Sequence, residues 1–271
     1  MIGRQGLHLD HATLQRNLSD FGLAHLDARK ILADERGYAE PFLKALGATE
    51  VDSLDASEYE GAGIIHDMNL PIAERYRGAY DTVVDGGSLE HIFNFPVAMK
   101  NCMEMIKVNG FFLGITPTNN FLGHGFYQFS PELYFRVLSK ENGFHVHQLL
   151  FFIDKPGADW FEVKDADEVR QRVTLSNSYP SYLFIMAKKI AQANVFGVAP
   201  QQSDYQNMRW KQDPPATPRK RSSLMTRIFR RIDQARPNWS ANLMKRIRPT
   251  GDGDGSLFRK MNTEDKGLGP N

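Results

Sequence analysis

The sequence predicts an α/β protein built on a doubly wound, mostly parallel sheet of seven strands with an antiparallel edge. Between residues 28 and 190, short apolar segments typical of buried strands alternate with segments of helical periodicity. The last two apolar segments follow each other without a clear helix between them, which indicates an antiparallel pair.

Each element is predicted from its own pattern and from the residues that end it. We expect strands at residues 29–33, 51–55, 63–67, 80–85, 111–115, 145–153 and 182–187. We expect helices at residues 38–46, 72–77, 88–107 and 131–141, with Ser88 and Ser130 as N-caps and with Gly47 and Asn109-Gly110 as stop signals. The chain then divides into a helical cap (1–27), a central domain (28–190) and a partly disordered tail (191–271).

The composition indicates a globular protein. The chain has 271 residues, of which 41% are hydrophobic and 24% are charged. No apolar run approaches the roughly 20 residues that span a bilayer, and no signal-peptide core is evident, so we expect a cytoplasmic protein. The single cysteine, Cys102, excludes a disulfide framework and a cysteine-based zinc site.

Charge is distributed unevenly along the chain. The formal net charge is +1, but residues 209–248 carry +10 and the first 208 residues about −8. Within this basic arm, residues 222–232 predict an amphipathic helix with five apolar side chains on one face. We expect residues 219–248 to bind an anionic membrane surface, peripherally, or an acidic partner; a solvated tail is the alternative. Nucleic acid is not expected, because the remaining chain is acidic.

Acidic residues follow four of the predicted strands. They are Asp34, Asp55, Asp67 and Asp85, and the last is followed by Gly86 and Gly87. The carboxyl ends of parallel strands face one crevice, where open α/β sheets bind ligands, and glycine lets a ligand approach the backbone closely. The alternative is that these aspartates only cap turns.

This arrangement, with Leu89-Glu90-His91 opening the next helix, resembles the class I S-adenosylmethionine-dependent methyltransferases, which have a Rossmann-like fold. The resemblance covers roughly residues 28–190. It implies that Asp55 binds the ribose hydroxyls, that Asp67 binds the adenine amino group and that Met68 packs on the ring. Further cofactor contacts are implied for Asp34, Gly37, Asp85, Gly86 and Glu90. The first strand departs from the pattern, since only Gly37 remains of its glycine-rich turn.

The loop after the fifth predicted strand carries a second group of candidates. Its polar residues Asn119, Asn120, Tyr127 and Gln128 are typical of an acceptor pocket or a lid. His124, or His91 nearby, is the candidate general base, because an imidazole titrates near neutral pH. The alternative is that the aromatics plug the core and the asparagines make turns. We expect no metal site, since no pair of histidines shows ligand spacing on one helix face.

Together these features predict methyl transfer from S-adenosylmethionine to an oxygen or nitrogen atom of a small molecule or glycan. A non-catalytic binding domain of the same fold is the alternative, favoured by the altered first loop.

Overall fold

The structure is a computed structural model and describes residues 1–33, 36–206 and 258–260. The strands are β1 (Leu54–Asp55), β2 (Ile64–Ile65), β3 (Tyr80–Asp85), β4 (Ile106–Asn119), β5 (Phe144–Ile153), β6 (Trp160–Val163), β7 (Ser181–Lys189) and β8 (Phe258–Lys260). The α-helices are α1 (His11–Asp20), α2 (Ala28–Ile31), α3 (Glu40–Ala45), α4 (Phe95–Met105), α5 (Pro131–Val137), α6 (Ala166–Val169) and α7 (Ser203–Gln206).

The strands form a mixed sheet in an α/β architecture. β1 pairs with β2, and six further strands follow the order β3–β4–β7–β5–β6–β8. The pairs β1–β2 and β3–β4 are parallel, whereas β7 pairs antiparallel with both β4 and β5. β7 therefore runs against both neighbours. The antiparallel pairing predicted for the last two strands is confirmed by β5 and β7, but β7 lies inside the sheet, and a single, mostly parallel sheet of seven strands is not confirmed.

Ile2 connects the two sets of strands. It makes parallel bridges to Leu54 and Asp85, and its N–H donates to the Val84 carbonyl at 2.8 Å. The start of the chain thus lies between β1 and β3. The strand predicted at residues 29–33 is wrong, because this segment belongs largely to α2. The place next to β1 and β3 is taken instead by the start of the chain, through Ile2 alone. A single bridging residue has no periodicity, so the sequence pattern does not reveal the position of the start of the chain in the sheet.

The long helix predicted over residues 88–107 is interrupted. A 3-10 turn occupies Leu89–His91, and α4 begins only at Phe95, with Pro96 in its first turn. Proline lacks an N–H group and is favoured where a helix starts, which explains this boundary. Ser88 makes no side-chain capping bond. The interruption leaves the polar residues of the 3-10 turn close to the end of β3.

Most other predicted elements are confirmed with shifted ends, but the helix predicted at residues 72–77 is only a 3-10 turn at Glu74–Tyr76. α3 ends before Gly47, which has a φ of +106°, and the Ser130 hydroxyl caps α5 by accepting a hydrogen bond from Leu133 N–H. β3 has the predicted bounds, and β5 and β7 exceed theirs by one to three residues. β6 was not predicted, and neither was β8, whose residues lie inside the segment predicted as a tail. The predicted amphipathic helix lies outside the described residues.

Within the described residues, the core consists of two clusters. The larger one packs α4 against β3 and β4 and includes Cys102, which is fully buried. The smaller one joins α1 to α2 through Leu14, Leu18 and Ile31. Among the described residues, no helix has the length and apolar character needed to cross a membrane.

Candidate functional site

The strand order reverses between Ile2 and β3. From Ile2 the chain leads outwards to β1 and β2, and it then returns to β3 on the other side of Ile2. The connections on the two sides of such a point diverge and leave a crevice at the carboxyl ends of the strands, where open α/β sheets bind ligands. The candidate site is therefore built from the residues that follow Ile2, β1, β2, β3 and β4.

Two glycine-containing turns meet at this crevice. Gly3 has a φ of +67°, in the left-handed region that favours glycine. The Ser88 hydroxyl and the Gln5 side-chain amide both donate to the Ile2 carbonyl, at 2.9 and 2.7 Å. A Cβ atom at Gly86 would lie 2.6 Å from the Gln5 Oε1 atom. The missing side chain at Gly86 thus makes room for Gln5.

Asp85, a predicted cofactor residue, ends β3 in a buried position. It is 1% exposed; its Oδ1 atom accepts from the Ser88 N–H at 3.0 Å, and its Oδ2 atom has no hydrogen-bond partner. Burial, reinforced by the nearby Glu90 carboxyl, raises the pKa of Asp85 from 3.8 to about 7. In this structure Asp85 supports the turn from within rather than facing the crevice.

Glu90 is a second buried carboxyl, and it lies beside both predicted catalytic histidines. It is 1% exposed; its Oε1 atom is 3.5 Å from His124 Nε2, and its Oε2 atom has no hydrogen-bond partner. Burial raises the pKa of Glu90, while His91 and His124 oppose the rise. The two imidazole rings are 4.8 Å apart in an edge-to-face arrangement. We call Glu90, His91 and His124 the acid–imidazole cluster.

A close backbone contact holds His124 in this cluster. The N–H groups of Phe126 and Tyr127 donate to the Glu90 carbonyl at 2.7 and 3.3 Å. Gly125 has a φ of +66°, and a Cβ atom there would lie 2.8 Å from the same carbonyl oxygen. Only glycine fits this approach, so Gly125 docks the loop onto the 3-10 turn that carries Glu90 and His91.

The expectation of no metal site stays a prediction, but the structure brings together residues that this expectation did not consider. That expectation rests on spacing along a helix, whereas His91 and His124 come from different segments and meet through the loop. Candidate ligand atoms of Glu90, His91 and His124 all lie within 4.8 Å of one another. Spacing in the sequence cannot reveal a cluster assembled in this way.

The polar residues predicted to bind the acceptor are engaged in fixing the loop. The side-chain amides of Asn119 and Asn120 donate to the Asn177 Oδ1 atom at 2.7 and 2.9 Å. Gln128 Oε1 accepts from a backbone N–H at 2.8 Å, and the Tyr127 hydroxyl donates to a backbone carbonyl at 2.6 Å. These hydrogen bonds hold the loop in place. Acceptor binding by these residues stays a prediction.

Asp55 and Asp67 lie at the ends of β1 and β2, and each caps a turn. Asp55 Oδ1 accepts from the Ser57 N–H at 2.9 Å, and Asp67 Oδ1 accepts from both the backbone and the side chain of Asn69. Those bonds lower the pKa of Asp67. At both residues, the contacts within the described part of the chain use Oδ1, so Oδ2 remains available to a ligand.

The other predicted cofactor residues are placed differently. Met68 is 3% exposed and packs in the core, where the Asn101 side-chain amide lies 3.7 Å from its sulfur atom. The Gly37 carbonyl accepts a hydrogen bond from the Leu7 N–H at 2.7 Å, where its segment pairs with the start of the chain. Asp34 lies outside the described residues.

Sequence reasoning missed Gln5 and Gly125. The glycines at positions 3 and 6 flank Arg4-Gln5 and are a recognisable turn signal, but residues 1–27 are predicted as a helical cap, which hides their place at the strand end. Gly125 lies in the predicted loop, yet its purpose depends on a carbonyl group distant in sequence.

One cavity of about 430 Å³ lies beside the start of α5. It is lined in part by Glu132, Arg136 and Arg172, whose charges are already paired with one another or with neighbouring aspartates. None of the strand-end residues described above lines it. The crevice at the switch point, rather than this cavity, adjoins the strand ends and the acid–imidazole cluster, and it is the candidate site.

No protein-family model and no curated protein sequence matches the chain. Solved structures do match it. An S-adenosylmethionine-dependent methyltransferase from Thermotoga maritima is 14% identical, with a TM-score of 0.35, over 51% of this chain and 72% of that chain. Another from Listeria monocytogenes is 17% identical, with a TM-score of 0.35, over 55% and 84%.

A branched-chain polyamine synthase from Thermus thermophilus, solved with N4-aminopropylspermidine and 5'-methylthioadenosine, is 14% identical, with a TM-score of 0.31, over 59% of this chain and 51% of that chain. The predicted resemblance to S-adenosylmethionine-dependent methyltransferases is thus also found among solved structures. At identities of 17% or less and TM-scores of 0.35 or less, these matches carry no argument about activity.

Proposed function

We propose that this protein transfers a methyl group from S-adenosylmethionine to an oxygen or nitrogen atom of a small molecule or glycan. The observation that carries the proposal is the crevice at the switch point, with Asp55 on one side and the acid–imidazole cluster on the other. Such crevices bind nucleotide-like ligands in open α/β sheets. The antiparallel β7 between β4 and β5 supports the resemblance from which the proposal started.

The residues of the crevice fit the cofactor in part. Asp55 offers an uncontacted Oδ2 atom to the paired hydroxyls of a ribose, and Asp67 offers one to the adenine amino group. Gly86 allows a close approach to the backbone, but the side chain of Gln5 takes up that space in this structure. Binding would therefore require Gln5 to turn away from Gly86 and Ser88.

The acid–imidazole cluster suits proton removal from an acceptor. S-adenosylmethionine, when bound, supplies a methyl group on a positively charged sulfur atom. His124 would take the proton of the acceptor oxygen or nitrogen to which that methyl group is transferred. The Glu90 carboxylate stabilises the imidazolium formed next to it. His91 is the second candidate for the same role.

Exposed apolar residues beside the cluster support an acceptor with an apolar or sugar-ring face. The rings of Phe93 and Phe126 are exposed and meet edge to face at 5.7 Å, and Leu122 is exposed in the same loop. Binding sites for small molecules combine such aromatic surface with a few polar groups. The proposed acceptor packs on these rings and presents its hydroxyl or amine to His124.

The decisive experiment is a calorimetric titration of the full chain with S-adenosylmethionine. Asp55→Asn keeps the acceptor for the Ser57 N–H but removes the charge, so it should weaken binding by about 1–3 kcal/mol. Asp81→Asn is the control, since Asp81 lies near the start of β3, at the opposite end from the site, and pairs with Lys107 on the surface. Equal affinities for the parent and Asp55→Asn would remove Asp55 from the site.

A specific observation favours one alternative, a non-catalytic binding domain. The hydrogen bonds that join Gln5, Ser88 and Ile2 close the turn in which a cofactor would lie. If the parent chain binds no S-adenosylmethionine and Gln5→Ala does not restore binding, the methyltransferase proposal is wrong and this alternative replaces it.

A further inference from the structure

We propose that the acid–imidazole cluster binds one divalent transition-metal ion, with Zn²⁺ as the reference case. Glu90 supplies a carboxylate oxygen, and His91 and His124 supply one ring nitrogen each. Imidazole nitrogen favours zinc and its first-row neighbours, whereas Mg²⁺ and Ca²⁺ favour sites made of oxygen atoms alone. The composition of the cluster therefore selects the class of ion.

One distance within the cluster already matches that of a metal site. Zinc–ligand bonds of roughly 2.1 Å place neighbouring tetrahedral ligands about 3.4 Å apart. Glu90 Oε1 and His124 Nε2 are 3.5 Å apart, and all three ligand atoms lie within 4.8 Å of one another. Both histidines are exposed, with 47% of the His124 side chain accessible, so their rings have room to rotate and shorten the wider separations.

The state of Glu90 is an independent indication of a cation. The side chain is 2% exposed, and its Oε2 atom has no hydrogen-bond partner. A buried carboxylate without a partner is costly, and a bound cation compensates that cost.

The backbone around the cluster is already organised for binding. Gly125 packs against the Glu90 carbonyl, and two loop N–H groups donate to the same oxygen, so His124 is carried to Glu90 without a ligand. His91 directly follows Glu90 in the 3-10 turn. Rigid placement of ligands reduces the entropy lost when an ion binds.

Two histidines and one carboxylate leave at least one position of the ion open. In zinc enzymes, this set of three protein ligands leaves the fourth position to water or substrate. While an ion is bound, His91 and His124 are its ligands and do not take the acceptor's proton; a hydroxyl of the acceptor at the open position would instead lose its proton to solvent more readily. This role rests on the proposed function, whereas the ion site itself does not.

Binding of the ion alone tests the site. The metal-stripped full chain is titrated with ZnCl₂ in a calorimeter, and its melting temperature is measured with and without Zn²⁺. We expect one ion per chain and a higher melting temperature with Zn²⁺, because the ion binds the folded state. His91→Ala, His124→Ala and Glu90→Gln should each weaken binding by at least tenfold, since even the loss of an outer partner costs about 10–100-fold.

His25→Ala is the matched control, since His25 is exposed and belongs to no such cluster within the described residues. It should bind Zn²⁺ like the parent. The absence of Zn²⁺ binding, or equal affinity in the parent and in folded His124→Ala, would overturn the site. Because the S-adenosylmethionine titration is separate, Zn²⁺ binding without cofactor binding would overturn only the proposed function.

Discussion

At the residue scale, the buried carboxyl of Asp85 at the end of β3 makes the stability of the protein depend on pH. Its pKa is raised from 3.8 to about 7, so at intermediate pH it is protonated in the folded protein and ionised in the unfolded chain. The folded state then binds more protons than the unfolded state. The contribution of Asp85 to stability is therefore greatest below pH 3.8 and is lost as the pH rises towards 7.

We predict that Asp85→Asn removes this pH dependence. An asparagine keeps an acceptor for the Ser88 N–H but does not titrate. Between pH 4 and 7 the free energy of unfolding of the parent should fall, relative to that of the variant, by an amount on the order of 4 kcal/mol. Urea unfolding at several pH values measures the difference. Parallel pH profiles for the two proteins would show that Asp85 has an ordinary pKa.

A second prediction at this scale compares two glycines of one loop. Gly125→Ala introduces a Cβ atom 2.8 Å from the Glu90 carbonyl oxygen at a φ of +66°, and it should destabilise the protein by about 1–3 kcal/mol. Gly123→Ala is the control, because its Cβ atom would meet nothing within 4 Å. Urea unfolding measures both. A similar small effect of the two substitutions would contradict the docking role of Gly125.

At the element scale, a buried lysine fixes the end of α4. Lys189 of β7 is 1% exposed, and its ammonium group donates to the carbonyls of Met103 and Ile106, at 3.0 and 2.8 Å. Burial lowers the pKa of Lys189. The last carbonyls of a helix lack partners within it, and a cation there also interacts favourably with the helix dipole. Lys189 thereby joins the helix that follows the candidate site to the antiparallel strand.

We predict that Lys189→Met destabilises the protein by about 1–3 kcal/mol, because two buried carbonyls lose their donor. Lys188→Met is the control on the adjacent position of β7, where the ammonium group lies 5.7 Å from the Phe111 ring on a partly exposed face. It should change the free energy of unfolding by no more than about 0.5 kcal/mol. Urea unfolding of both variants measures these changes. Equal losses in the free energy of unfolding would contradict the capping role of Lys189.

At the scale of the whole molecule, the charge is divided between an acidic body and a basic arm. The body extends past β7, since Val195 is buried and the Ser203 N–H donates to Glu132 Oε1 at 2.7 Å. The arm, residues 209–248, lies outside the described residues, and its charge of +10 is read from the sequence. We propose that it binds anionic membrane surfaces, where each basic residue contributes about 1 kcal/mol at low salt.

Sedimentation with vesicles tests this proposal. The full chain should sediment with vesicles that contain an anionic lipid, and the bound fraction should fall as salt increases, because screening weakens the attraction. Replacement of Arg227, Arg230 and Arg231 by glutamine should reduce binding while leaving the rest of the chain intact. Equal binding to neutral and anionic vesicles would eliminate the membrane role.

The sequence by itself determined the α/β class, the bounds of β3, the end of α3 at Gly47 and the antiparallel pair of late strands. Each of these depends on local signals, such as apolar runs, glycine at a helix end and missing helical periodicity, that hold in any tertiary context. Asp55, Asp67 and Asp85 were placed correctly at strand ends for the same reason. The burial and the contacts of each aspartate depend on residues distant in sequence, and they could not be inferred.

Only the tertiary structure decided how the site is assembled. Ile2 takes a central place in the sheet through single bridges, which leave no pattern in the sequence. Met68 turns into the core, and Asp85 is buried beneath its turn. Glu90, His91 and His124 meet because Gly125 packs on a carbonyl 35 positions earlier in the chain. Long-range packing sets burial and distance, and these two quantities decide the chemistry available to a side chain.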